Sequence, residues 1–321
     1  MAVTVRSFAK INLGLRIGAS RPDGFHELLT VYRTIALHDV IRVGIERGSG
    51  IEIRCADPRV PRDESNTCYR IVELAMAALS ANGRVVLEIE KRLPVQGGLG
   101  GASANAVATL LGLERALKKT LASAERFRIA AQVGSDLPLF LVGGTVLGVG
   151  RGEQVYPLPD LPAKACVVVT PETGVSTPKA FAEWDAAASK LTASNPSDRM
   201  NELGRGLSAW LSELHSGAPS GVKGRGRAGN PLLRLVRAGI ENDFEQVVFP
   251  EYPELSEAKR ALVRAGAEYA SLSGSGSTLY GLFASRQAAA LAVTRLRKAG
   301  WVALATATLT RRAYWRRIIA G

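Results

Sequence analysis

Between residues 94 and 108 the chain reads PVQGGLGGASANAVA, with glycine at 97, 98, 100 and 101. No other stretch restricts so tightly what the chain can fold into. Glycine takes positive φ without penalty and lets other groups approach the backbone closely. Val85–Ile89 ahead of the loop reads as a strand, and the small and aliphatic run from Ser103 reads as a helix. Strand, glycine loop and helix form the setting in which bare amide N–H groups face a phosphate. Ser103 can add a hydroxyl to a phosphate oxygen or to an oxygen held by Mg²⁺. The loop is not a Walker loop, because Ala106-Val107 follow where Lys-[Ser/Thr] would stand. No VAIK or HRD-type segment accompanies it, which excludes the protein-kinase pattern. A dinucleotide fingerprint needs an acid about 20 residues on, at the end of the next strand, and that interval is mainly helical here. A glycine turn used only for tight packing remains as the plain alternative.

A chain of 321 residues can bury a sizeable core, and two domains are expected, residues 1–160 and 161–309, followed by a basic tail over 310–321. Hydrophobic residues at 46% and charged residues at 22% fit a globular protein. The alternation of Val3, Val5 and Phe8 starts a strand at once, so no cleavable leader is expected. The apolar run Leu137–Gly150 is broken by glycine and too short to span a bilayer. Cys55, Cys68 and Cys166 are scattered, which argues for a reducing, cytoplasmic setting and against a disulfide framework. His26, His38 and His215 form no ligand cluster, and the metal ligands are not identifiable from sequence. The net charge of +12 gathers around 223–237 and 295–317. Without stacking, helix-turn-helix or zinc patterns, a solvated basic face is expected rather than nucleic-acid binding.

Read in order, residues 2–8 form a strand with Lys10 and Asn12 at its end. Alone, that lysine reads as an edge-strand charge that blocks sheet pairing. RPDGFH at 21–26 is a turn, and Leu28–Ile35, Asp39–Ile45 and Ile51–Cys55 follow as strands. Asn66 caps the next helix. A further helix covers Ala122–Val133, and Asp136 after it reads either as a cap or as an acid near a pocket. In the second half, Ala165–Thr170, Tyr269–Leu272, Leu279–Phe283 and Val302–Leu309 read as strands. Ser273–Ser277, SGSGS, is a second glycine turn, and Gly217–Asn230 is a basic, glycine-rich insertion.

The ordered set AKINLGLRI at 9–17, RPDGFHEL at 21–28, KRLPVQGGLGGASANA at 91–106, GSDLPLFL at 134–141, GVSTPKAF at 174–181 and NDFE at 242–245 resembles the GHMP kinase superfamily. That group includes galactokinase and the homoserine, mevalonate and phosphomevalonate kinases. The closer likeness is to its branch in the non-mevalonate isoprenoid pathway. The resemblance implies an α+β, two-domain GHMP kinase fold with the active site in the interdomain cleft. It also implies ATP-dependent phosphorylation of the C2 hydroxyl of 4-diphosphocytidyl-2-C-methyl-D-erythritol, giving the 2-phosphate and ADP. ATP, with Mg²⁺, is expected against Pro94, Gly97, Gly98, Leu99, Gly100, Gly101, Ala102 and Ser103, with Gly274 and Gly276 approaching through backbone amides. Asp136 is similar to the family's general base and Lys10 to the cation that orients the acceptor oxygen and offsets charge, assisted by Asn12. Such a pair suits phosphoryl transfer to an alcohol, which needs positioning and charge stabilisation.

For the cytidine end, the resemblance implies cytosine between Phe25 and Phe181, His26 reading the base edge, and Thr177 and Pro178 in the accompanying loop. Phe25 stands where the family more often has tyrosine, so a hydroxyl is lost and the ring face kept. Gln96, Ala102 and Ala104 also depart from the usual pattern, and Ala104 removes a hydroxyl. The partner implied is an anionic cytidine diphosphate acceptor, without nucleic acid or membrane, and at most a weak homodimer. The alternatives are another small-molecule kinase of the superfamily, of homoserine or mevalonate type, and a non-catalytic nucleotide or nucleic-acid binder.

Overall fold

A computed structural model describes residues 2–95, 97–188, 196–216, 231–237 and 241–319. Gln96 and the 217–230 insertion lie outside them. The first half runs β1 (Val3–Ser20), β2 (His26–Glu46), β3 (Ile51–Cys55), α1 (Thr67–Ala78), β4 (Arg84–Glu90), α2 (Gly101–Leu117), α3 (Ser123–Val133), α4 (Leu137–Val142), β5 (Thr145–Val149) and β6 (Gln154–Pro157). The second runs β7 (Ala165–Val169), α5 (Thr177–Ala188), α6 (Pro196–Ser216), α7 (Pro231–Arg237), α8 (Glu245–Glu251), α9 (Pro253–Arg264), β8 (Tyr269–Leu272), β9 (Leu279–Phe283), α10 (Arg286–Lys298), β10 (Ala303–Ala307) and α11 (Arg311–Ile318).

The first sheet has β2 as its axis. β1 pairs antiparallel along nearly its whole length, while β4 and β5 pair with residues 40–46 and 30–33 of β2. The second sheet is antiparallel in the order β10-β7-β9-β8. β1 ties the halves together. Val5 and Phe8 sit in the core under the first sheet, Ala9, Ile11 and Leu13 in a central cluster with Val168 and Tyr280, and Leu15 and Ile17 in the core of the second half.

The strands expected at 2–8, 28–35 and 39–45 are therefore parts of two long strands, and this changes the reading of Lys10. It is not an edge charge: it lies inside β1, 4% exposed, opposite Thr34 of β2. Register shifts between Phe8 and Lys10 and between Asn12 and Gly14 mark bulges on either side. Bulges re-aim side chains, and residues two apart share a face, so Lys10 and Asn12 point into the same space.

Local capping follows the sequence closely. The Asn66 side chain accepts a hydrogen bond from the Cys68 amide at 2.8 Å and starts α1. The basic tail is a helix docked on the first half, because Tyr314 and Ile318 are apolar anchors on an otherwise charged segment. Tyr314 is buried and donates to the Phe140 carbonyl at 2.7 Å, Trp315 donates to the Val142 carbonyl, and Ile319 bridges Val5. The three cysteines are buried and free, and no helix among the described residues is long and apolar enough to cross a membrane.

Candidate active site

A cleft of about 950 Å³ opens between the two halves. On its floor, Lys10 Nζ donates to Asn12 Oδ1 at 2.7 Å and lies 3.4 Å from Asp136 Oδ2. Asn12 Nδ2 donates to Thr30 Oγ1 at 2.8 Å, and Thr30 passes the chain on to the Gly14 carbonyl. Asp136 begins α4, yet its side chain caps nothing. Its Oδ1 instead accepts from the Tyr32 hydroxyl at 3.0 Å. Burial, reinforced by the Asp136 carboxylate, pushes the Tyr32 phenol well above the usual tyrosine range. Tyr32 therefore stays protonated and remains a donor to Asp136. The result is a carboxylate held by a neutral donor on one oxygen and a cation near the other, with the carboxyl group about one-third exposed to the cleft.

Opposite this group stands the glycine loop. Gly100, at φ +69°, is the N-cap of α2 and supplies no capping side chain. The first-turn amides of α2 are thus left for a ligand rather than consumed locally. A Cβ at Gly100 would lie 3.1 Å from both Lys10 Cε and Phe140 Cζ, so this glycine also lets the loop close over the lysine. The loop is anchored from below by Asp39, fully buried in β2. Its carboxylate accepts from Lys91 Nζ at 2.5 Å, from the Arg92 and Leu93 amides at 2.7 Å each, and from Asn105 Nδ2 at 3.0 Å. From the second half, the SGSGS turn clasps the loop: Ser273 Oγ donates to the Gly98 carbonyl at 2.9 Å and the Thr278 amide to the Gly97 carbonyl at 3.2 Å.

The far end of the cleft is aromatic. The His26 imidazole stacks on Phe181 with centroids 4.9 Å apart and planes 12° apart, and Phe244 meets Phe181 edge-on. His26 Nε2 lies 2.7 Å from Asp185 Oδ1 and 3.2 Å from Ser20 Oγ. Phe25 is 49% exposed and carries the Arg151 guanidinium over its ring at 4.8 Å. Thr177, at the start of α5, shares a 2.7 Å hydrogen bond with Ser275.

The N-terminal domain pattern of the GHMP kinases matches residues 66–144, and the C-terminal pattern of the same kinases matches residues 228–301. The 4-diphosphocytidyl-2-C-methyl-D-erythritol kinase of Solibacter usitatus is 38% identical over 98% of this chain and 92% of its own length. The chain belongs to the GHMP kinase family. The enzyme of the same name from Acaryochloris marina is 36% identical over 93% of this chain and 92% of its own. A crystal structure of 4-(cytidine 5'-diphospho)-2C-methyl-D-erythritol kinase superposes with a TM-score of 0.72 at 28% identity, covering 95% of this chain and 98% of that one. A homoserine kinase from Cytophaga hutchinsonii superposes with a TM-score of 0.71 at 18% identity, over 96% and 95% of the two chains, a likeness of fold alone. As a GHMP kinase the protein is an ATP-dependent phosphotransferase acting on a small-molecule alcohol.

Within this GHMP kinase, all but one of the residues expected from sequence line the cleft: Lys10, Asn12, Asp136, Phe25, His26, Thr177, Pro178, Phe181, Gly274 and the loop residues Pro94 and Gly97–Ser103. Gly276 does not. Its amide donates to the Ser273 carbonyl within the turn and its open side faces Leu272, so only Gly274 approaches the cleft. The aromatic end also differs from the expected sandwich, because one face of Phe181 is covered by His26 itself. Tyr32, Asp39, Arg151 and Asp185 were missed. Tyr32 and Asp39 sit in an ordinary strand pattern, and Arg151 and Asp185 in turn and helix surroundings that carry no motif. Only the long-range pairing reveals them.

Proposed function

We propose that this kinase transfers the γ-phosphoryl group of ATP to the C2 hydroxyl of 4-diphosphocytidyl-2-C-methyl-D-erythritol, giving the 2-phosphate and ADP. The observation that carries the chemistry is the Asp136 carboxylate, held by Tyr32 and Lys10 and facing the uncapped start of α2. The curated relatives of that name, matched over nearly the whole chain, support the acceptor.

In this reading the phosphates of ATP rest on the amides of Gly101, Ala102 and Ser103. Asp136 takes the proton of the C2 hydroxyl through Oδ2 as the oxygen attacks phosphorus. Lys10 sits beside both oxygens and offsets the charge that builds on the transferred group, and Asn12 holds its ammonium in place. This is mostly positioning and electrostatics, as phosphoryl transfer requires. Mg²⁺ neutralises phosphate charge when bound. Among the described residues no three His, Cys, Asp or Glu side chains converge. A hydrated Mg²⁺ would need only one or two protein oxygens, and the Ser103 hydroxyl on the cleft wall would supply one, which leaves the Asp136 carboxylate to act as the base.

The cytidine moiety is placed against Phe25 and the His26–Phe181 stack, with Arg151 toward the diphosphate. The stack, rather than a gap between two phenylalanines, is the platform for the base. The test is ADP release from ATP with the cytidine acceptor, its uridine analogue, homoserine and mevalonate. Turnover of the cytidine acceptor above all others is expected. Turnover confined to homoserine or mevalonate would overturn the acceptor, and no turnover of any alcohol would overturn the reaction.

A further inference from the structure

The NDFE sequence at 242–245 touches no part of the cleft's catalytic floor, yet each of its polar side chains is spent on a defined contact. Asp243, fully buried, accepts from the Ile17 amide at 2.9 Å, from Arg16 at 2.8 Å and from Arg199 at 2.6 Å, which secures the end of β1. Glu245 accepts from the Leu272 amide and the Ser271 hydroxyl at 2.9 and 2.8 Å, which secures β8. Asn242 is different. Its Nδ2 donates to the Leu272 carbonyl at 3.0 Å and to the Gly274 carbonyl at 2.8 Å, and its Oδ1 accepts from the Phe244 amide at 3.1 Å. It is 2% exposed, so water cannot replace these bonds.

Gly274 is where the second half reaches the reacting groups. Its open side lies 3.5 Å from both Lys10 Nζ and Asn12 Oδ1, measured from where a Cβ would stand. The preceding Ser273 bonds the Gly98 carbonyl of the phosphate loop. One amide side chain thus sets the height of a turn that meets the lysine, the asparagine and the glycine loop together.

We infer that Asn242 is a positioning residue for phosphoryl transfer, holding the Gly274 turn against Lys10 and the phosphate loop. The inference rests on the reaction proposed above, and it concerns the ratio of variant to wild type on whichever acceptor the wild type uses. A wild type that turns over nothing would therefore defeat the reaction and not this residue.

Asn242→Asp keeps size and shape but turns two donors into acceptors facing two carbonyls. The turn must move away from them. Displacing reacting groups by an ångström costs on the order of 10²-fold, so kcat should fall about 10- to 100-fold. KM for ATP and acceptor should stay within about threefold, since the cleft's own binding surfaces keep their atoms. Asp243→Asn is the comparison: it weakens the hold on β1, lowering the melting temperature while kcat of the folded enzyme stays near wild type. Loss of kcat in Asn242→Asp without a matching loss of melting temperature supports the inference. Full kcat, or losses that track melting temperature as in Asp243→Asn, overturns it. If Asn242→Asp does not fold, Asn242→Ala and Ser273→Ala decide on the same terms, because the first removes both side-chain bonds to the turn and the second the turn's bond to Gly98, neither adding repulsion.

Discussion

Gly98→Ala tests whether the joint between glycine loop and SGSGS turn positions the chemistry. Gly98 has φ +73°, and a methyl there would stand 2.1 Å from the Ser273 carbonyl oxygen, 3.2 Å from its carbon and 3.0 Å from the Gly276 oxygen. These are backbone atoms and cannot swing aside. Loop and turn would have to part by roughly 1 Å before even a close van der Waals contact is restored. Left-handed backbone at alanine costs about 1–2 kcal/mol, and the Ser273–Gly98 hydrogen bond, about 1 kcal/mol, is stretched or lost. Together these, about 2–3 kcal/mol, predict a melting temperature lower by roughly 3–5 °C for a chain of this size. The 1 Å displacement predicts a kcat lower by about 10²-fold. Gly101→Ala is the control: it is helical, keeps its amide, and its methyl would stand at ordinary contact distance, 3.4 Å from the Lys91 ammonium and 3.6 and 3.8 Å from the Leu93 side chain, so kcat should change less than about threefold. Steady-state kinetics and thermal melting of both variants decide the matter. A folded Gly98→Ala enzyme with kcat within threefold of wild type would refute the joint as a positioning element.

Four further outcomes are expected. Asp136→Asn should bind ATP within a few-fold of wild type by calorimetry while kcat falls about 10²–10⁴-fold, the span of a general base; near-normal kcat would remove it from the mechanism. Tyr32→Phe removes the donor to Asp136 Oδ1; a hydrogen bond to a charged group is worth about 1.5–3 kcal/mol, so kcat/KM should drop at least about tenfold, and an unchanged value would make Tyr32 a packing residue only. Phe181→Leu loses the faces that meet His26 and Phe244, at about 0.5–1.5 kcal/mol beyond area; kcat/KM should fall for the cytidine acceptor and hardly for methylerythritol phosphate, and equal losses on both would dismiss the base platform. Tyr314→Ala empties the site beneath α4 and should cost about 3–5 kcal/mol of stability, read by denaturant melts; a loss below 1 kcal/mol would return α11 to the status of a loose tail.

Three of the basic side chains are engaged within the fold. Arg311 donates to the carbonyls of Gly143, Thr145 and Leu158, Arg317 lies over the Phe8 ring, and Arg33, buried in β2, donates to Thr145 and to the Leu161 carbonyl. Burial pushes the Arg33 guanidinium down to about 10. Arginines that satisfy carbonyls around residues 143–162 pin the junction between the halves, a use of charge that composition alone reads as a basic face.

What could be read from the chain was local. The glycine loop, the strand before it and the helix after it depend on residues within a few positions of one another, and they stand where expected, with α2 starting two residues earlier because Gly101 and Ala102 enter the helix. Asn66 caps α1 for the same local reason. The ordered motifs carried the fold and placed Lys10 and Asp136 in one site. What the chain could not disclose depended on register and packing. Lys10 looked like an edge charge because nothing nearby shows that β1 continues to Ser20. Asp136 could pass for a cap until folding brought Tyr32 to it from 104 positions away. His26 lies on Phe181, and Asn242 on the Gly274 turn, through pairings that local periodicity does not contain. Secondary structure follows from neighbours in sequence; the donors, cations and ring faces that make the site work are neighbours only in space.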